Sequence, residues 1–148
     1  MIPYTIIPAI LGILGLGSAW LVYLYVKNSP EGDGKVKEIA DEIHSGAMVF
    51  MAREYRPLSA FALICAIALY FTLGWQTCVA FVLGALCSGT AGYIGMFSAT
   101  KANVRTAVAA SEKGAGAALN VAFFGGSIMG LTVAAMGLIG IGILFYFF

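Results

Sequence analysis

Charged side chains fall into two short segments of this chain, separated by long uncharged stretches. Residues 27–56 carry eleven of the fifteen, and residues 101–113 carry the other four. The runs 1–26, 57–100 and 114–148 hold none, at 26, 44 and 35 residues. Placing a charge in hydrocarbon is costly, and a spanning helix needs about 20 mainly apolar residues. The three runs therefore predict one, two and one membrane spans. The fold class is all-α: a polytopic membrane protein with four transmembrane helices, residues 1–148 forming one transmembrane module.

Span one is predicted over about 5–26, with Tyr4 at one end and Trp20, Tyr23 and Tyr25 toward the other, as an aromatic belt would place them. The NSPEGDG stretch at 28–34 is a turn-rich loop. Val36, Ile39, Ile43, Ala47 and Phe50 then recur at steps of three and four. That spacing predicts an amphipathic helix over 35–56, with Lys37 and Asp41 able to pair one turn apart. Pro57 follows, a residue that kinks a helix interior, and span two continues over about 58–72. The LGWQT stretch at 73–77 is the turn expected inside the 44-residue run. Span three covers about 78–100 and continues as a helix out of the membrane. A break is expected at 111–116, and span four covers about 118–146.

Both charged segments join spans on the same side, and the other side carries no charge. The positive-inside rule puts both segments in the cytosol and both termini outside. Residues 1–26 lack a basic n-region and a small-residue cleavage site, so they read as the first span and not as a signal peptide. Hydrophobic residues make up 61% of the chain, more than a soluble domain of this size can cover. The net charge of +1 includes no basic patch of the kind that binds nucleic acid. Cys65, Cys78 and Cys87 lie in apolar runs without a CxxC spacing and read as small packing residues.

The chemistry that is missing narrows the function. No predicted span contains Asp, Glu, His, Lys or Arg. Ion relays and coupled transporters usually place an ionisable group inside the bundle, so the chain alone makes a poor proton or cation carrier. Small residues are abundant instead. Gly84, Ser88 and Gly92 repeat at four-residue steps on span three, and Gly126 and Gly130 form a GxxxG on span four. Such stripes let helices approach closely, and helix packing is favoured over a glycine-lined ion passage.

The polar segments offer weak candidates. Asp41 and Glu42 are adjacent, so their side chains diverge by about 100° on a helix. With His44 they read as a solvated face and not as a metal site, His44 being a surface histidine. Lys101 and Arg105 share a helix face at i, i+4. They are candidates for contact with a phosphate group or with anionic lipid head groups. Neither a GxxxxGK[ST] phosphate loop nor a catalytic triad order is present.

Three stretches share an order and spacing with one known family: EIADEIHSGAMVFMAREY at 38–55, AGYIGM at 91–96 with ATKANVRTA at 99–107, and ALNVAFFGGSIMGL at 118–131. Together they resemble the N-terminal quarter of the membrane-integral pyrophosphatases, ion pumps driven by pyrophosphate hydrolysis. The resemblance covers the chain from about residue 36 onward. It implies that these are the first four of sixteen spanning helices, in a homodimer. It also implies Mg²⁺ and pyrophosphate held at the cytosolic face by Asp, Lys and Asn of later helices, with K⁺ as a further cofactor in some members. Nothing here matches the family's Asp-rich DVGADLVGK-type motif, so no catalytic or metal-binding residue is carried over. Two positions depart from the family pattern: a basic residue is common where Phe97 stands, and Arg where Phe124 stands.

The expected function follows. This is the N-terminal portion of a pump coupling inorganic diphosphate hydrolysis to H⁺ or Na⁺ translocation, a scaffold segment that binds no cofactor alone. The complete protein would be the enzyme. Its expected partners are the lipid bilayer, the remaining helices of the pump, a second copy and pyrophosphate, but not nucleic acid. A bacterial or archaeal plasma membrane is the expected location. The chain stops on LFYFF at 144–148 without a polar tail, which reads as a partial sequence. The alternative is a stand-alone, non-catalytic four-helix membrane assembly module.

Overall fold

The computed structural model describes residues 6–148. It consists of four helices: α1 (Ile7–Lys27), α2 (Lys35–Leu73), α3 (Trp75–Lys113) and α4 (Ala115–Phe147). Each is long and apolar enough to cross a membrane. Tyr4 and Thr5, expected at the start of span one, lie outside the described residues.

Helix lengths show how the polar segments are accommodated. At 1.5 Å per residue, the 39 residues of α2 and of α3 each extend about 58 Å. A bilayer core is only about 30 Å thick. The apolar halves therefore fill the membrane, and the charged halves, Lys35 to Arg56 and Lys101 to Lys113, continue beyond it as helix. Pro57 does not interrupt α2. The amphipathic helix and span two are one continuous element.

The turns are tighter than the sequence suggests. The five residues expected at 73–77 shrink to Gly74 alone, and the break at 111–116 shrinks to Gly114 alone. Gly74 has φ +91° and ψ 172°, and Gly114 has φ +82° and ψ −177°. That region is open essentially only to glycine. One such residue reverses the chain, so the neighbours expected in a loop stay helical.

The helices pack antiparallel in the spatial order α2, α3, α4, α1. The largest contacts are α3 with α4 and α4 with α1; α2 touches only α3 among the described residues. Glycine sets the closest approaches. A Cβ on Gly125 would stand 2.5 Å from the Cβ of Ala102, and one on Gly12 would stand 2.6 Å from the carbonyl oxygen of Ala135. A Cβ on Gly142 would meet Ala9 backbone nitrogen at 2.7 Å. The buried cluster sits toward the charged end, where Val26 of α1 meets Ala102 and Ala109 of α3 and Val121 and Ile128 of α4. Away from these seams, large apolar side chains point outward, and Phe71 is 80% exposed. Exposure on this scale suits contact with lipid.

Candidate functional site: the polar junction of α1 and α3

The first charged side chain after span one, Lys27, closes α1, and the chain then crosses α3. Gly32, at φ +76°, lies so close that a Cβ there would meet Val108 Cγ2 at 2.9 Å. This crossing carries Glu31 to the exit of α3 from the membrane. Its Oε1 stands 3.3 Å from Arg105 Nη2 and 4.0 Å from Lys101 Nζ. From α2, Asp41 Oδ1 approaches Lys101 Nζ to 3.6 Å. Two separate segments, the loop after α1 and α2, thus converge on the i, i+4 pair that the sequence singles out.

Exposure differs within the cluster. The Arg105 side chain is 7% exposed, against 27% for Lys101 and 59% for Asp41. Ion pairs of exposed groups contribute about 0–1 kcal/mol, so the Asp41 contact does little to hold α2. Arg105 is different, because a buried guanidinium requires partners. Nη1 donates to the backbone carbonyl of Lys101 at 2.7 Å, and Nη2 faces Glu31. The buried Nε has no hydrogen-bond partner. Beside these groups lies a cavity of about 230 Å³ lined by Tyr23, Val26, Lys27, Glu31, Ser98, Lys101 and Arg105.

The other sequence candidates are distributed differently. Asp41 reaches Lys101 on α3, where the sequence suggested Lys37 within its own helix. His44, expected at the surface, is half-buried: its Nδ1 lies 2.7 Å from Thr100 Oγ1 and its ring meets Phe97 edge-on at 5.1 Å. With Asp41 and His44 committed to different partners, Glu42 is left exposed. Among the described residues no three acidic, His or Cys side chains gather as a metal site. Gly92 faces the Tyr55 hydroxyl, which donates to the Gly89 carbonyl at 2.6 Å. Gly84, Gly126 and Gly130 face open space within this chain, and Ser88 lines the grooves beside α3.

Sequence reasoning missed Glu31, Ser98 and Tyr23 as parts of the junction, and Gly12, Gly125 and Gly142 as contact glycines. Glu31 carried no signal that set it apart, since Asp33 is an acid in the same loop.

Comparison with known proteins agrees with the architecture. The family model described as inorganic H⁺ pyrophosphatase matches residues 13–148. A protein of Clostridium tetani named as a putative K⁺-stimulated pyrophosphate-energized sodium pump is 43% identical over 145 residues, covering 98% of this chain and 21% of that protein. The K⁺-stimulated pyrophosphate-energized sodium pump of Thermotoga maritima is 44% identical over 137 residues, covering 92% of this chain and 19% of the pump. The K⁺-insensitive pyrophosphate-energized proton pump 2 of Moorella thermoacetica is 43% identical over 150 residues, covering 98% and 21%. The chain spans about a fifth of the length of these curated relatives.

Proposed function

Since the chain belongs to the inorganic H⁺ pyrophosphatase family, we propose that it is the N-terminal scaffold of a pump that couples pyrophosphate hydrolysis to ion translocation. The observation that carries this reading is the match over nearly the whole chain to relatives named as such pumps, at 43–44% identity. Sodium and proton pumps match equally well, as do K⁺-stimulated and K⁺-insensitive ones. The choice of ion and the response to K⁺ are therefore assigned to the part of the pump outside these four helices.

The residues in hand support a scaffold role. The charged side chains sit on the polar extensions and on the segment 27–34, and the apolar halves of the helices carry none. Glu31 and Asp41 both face cations, a donor set that does not suit Mg²⁺. Mg²⁺ and pyrophosphate belong, on the family resemblance, to later helices. Gly84, Gly126 and Gly130, open within this chain, are assigned to contact with those helices or with a second copy. The segregation of Lys and Arg to one end supports cytosolic polar extensions in a bacterial or archaeal plasma membrane.

The test compares residues 1–148 with the complete pump polypeptide that carries them, both reconstituted in vesicles. Mg²⁺-dependent pyrophosphate hydrolysis with H⁺ or Na⁺ uptake is expected of the complete polypeptide, and neither is expected of residues 1–148. Hydrolysis by the short chain would overturn the scaffold role, and none by the complete polypeptide would overturn the pump.

A further inference from the structure

We propose that the cavity between α1 and α3 is a binding site for a single phosphate-type oxyanion, either a phospholipid head group or a free phosphate. This does not depend on the pump reading, since it rests on the geometry of the junction alone.

Three observations carry it. The first is the charge of the lining. Lys27, Lys101 and Arg105 contribute three cations and Glu31 one carboxylate. Asp41, on the outer side of Lys101, leaves the group with a net positive charge. The second is unspent donor capacity. Arg105 is 94% buried, being 6% exposed, and its Nε–H is buried without a partner. Lys101 Nζ is 3.6 and 4.0 Å from its two carboxylates, outside ordinary hydrogen-bond distance, and an ammonium has three protons to place. A phosphate group offers more acceptor oxygens than a carboxylate, and Glu31 meets both cations through one oxygen. Planar guanidinium and ammonium groups together are the usual means of holding phosphate.

The third observation is room and position. At about 230 Å³, the cavity greatly exceeds the roughly 10–15 Å³ that one water needs. It opens where α1 ends, beside Tyr23 and one turn beyond Trp20, at the depth where aromatic belts meet head groups. Glu31 is the built-in competitor. It holds Arg105 Nη2, so weakening its charge strengthens the site.

The test reads the side-chain Nε–H resonances of the protein's three arginines, Arg53, Arg56 and Arg105, in an uncharged detergent. The probes are inorganic phosphate and a short-chain phosphatidylglycerol. A saturable shift of Arg105, with Arg53 and Arg56 unmoved, is expected. Lys101→Gln should weaken the apparent affinity about tenfold, the loss of one charge-assisted contact. Glu31→Gln should tighten it several-fold, a change that a purely structural clamp does not produce. Helix content by circular dichroism shows that both variants fold. Saturation by the phospholipid alone identifies a head-group site, and saturation by both probes identifies a general phosphate site. A cavity that holds water only would show no saturable shift with either probe. That result, or a shift indifferent to both substitutions, overturns the proposal.

Discussion

At the scale of single residues, one methyl group separates contact from open space. Gly125 and Gly126 are adjacent, yet a Cβ at Gly125 would collide with Ala102 and one at Gly126 would meet nothing within 4 Å. Gly125→Ala should therefore destabilise residues 1–148 by about 1–3 kcal/mol through overpacking. Gly126→Ala should be neutral, or stabilise by about 0.5–1 kcal/mol through helix propensity. Loss of helical signal against denaturant in detergent measures both; equal effects would refute the packing described for α3 and α4. The surroundings of Phe97 and Phe124 also become visible at this scale. Phe97 packs on His44, and Phe124 meets Tyr25 edge-on at 4.9 Å. Aromatic contacts thus occupy both positions. None of these pairings was legible beforehand. The sequence shows a GG doublet, but which glycine faces α3 depends on a rotation of 100°. His44 and Thr100 are 56 positions apart, and no local pattern joins them.

At the scale of elements, charge segregation made the four spans readable, because the cost of burying a charge acts on every residue of a span at once. The corners were not readable. Turn statistics reward clusters of polar and glycine residues, whereas here a lone positive-φ glycine does the work of a loop. Gly74→Ala should cost about 1–3 kcal/mol, since alanine is strained at φ +91° whatever space surrounds it. Gly46, a helical residue with open space around it, provides the control: Gly46→Ala should not lower stability. Thermal unfolding of the two variants in detergent compares them directly. The polar junction was half legible. The spacing of Lys101 and Arg105 showed in the sequence, but their carboxylate partner arrives on a loop whose path is fixed by the contact of Gly32 with Val108.

At the scale of the whole molecule, the positive-inside rule predicts a sidedness that can be measured. With Cys65, Cys78 and Cys87 replaced by Ala, single cysteines at Glu112 and at Gln76 should react from opposite faces. In intact cells, a membrane-impermeant thiol reagent is expected to label Gln76→Cys and to spare Glu112→Cys until the membrane is opened. The reverse pattern would invert the proposed topology. The four helices also form an open arrangement, with α2 held, among the described residues, by α3 alone. A helix held on one side only suits a segment that is one part of a larger assembly, as the fivefold length of its relatives suggests.

The single-glycine corners have a further consequence, for how such a sequence can change. A flexible loop absorbs an inserted or deleted residue, but a one-residue corner passes the change on. Deleting one residue from the middle of α3 would turn everything after it by about 100° and draw it back by about 1.5 Å. Gly142 would then leave Ala9, and Arg105 would lose its alignment with Glu31. From Lys35 to Phe147 the chain behaves like a ruler, with its graduations fixed by three helices and two glycines. It can drift by exchanging one side chain for another, whereas a change of length is better absorbed by the loop at 28–34.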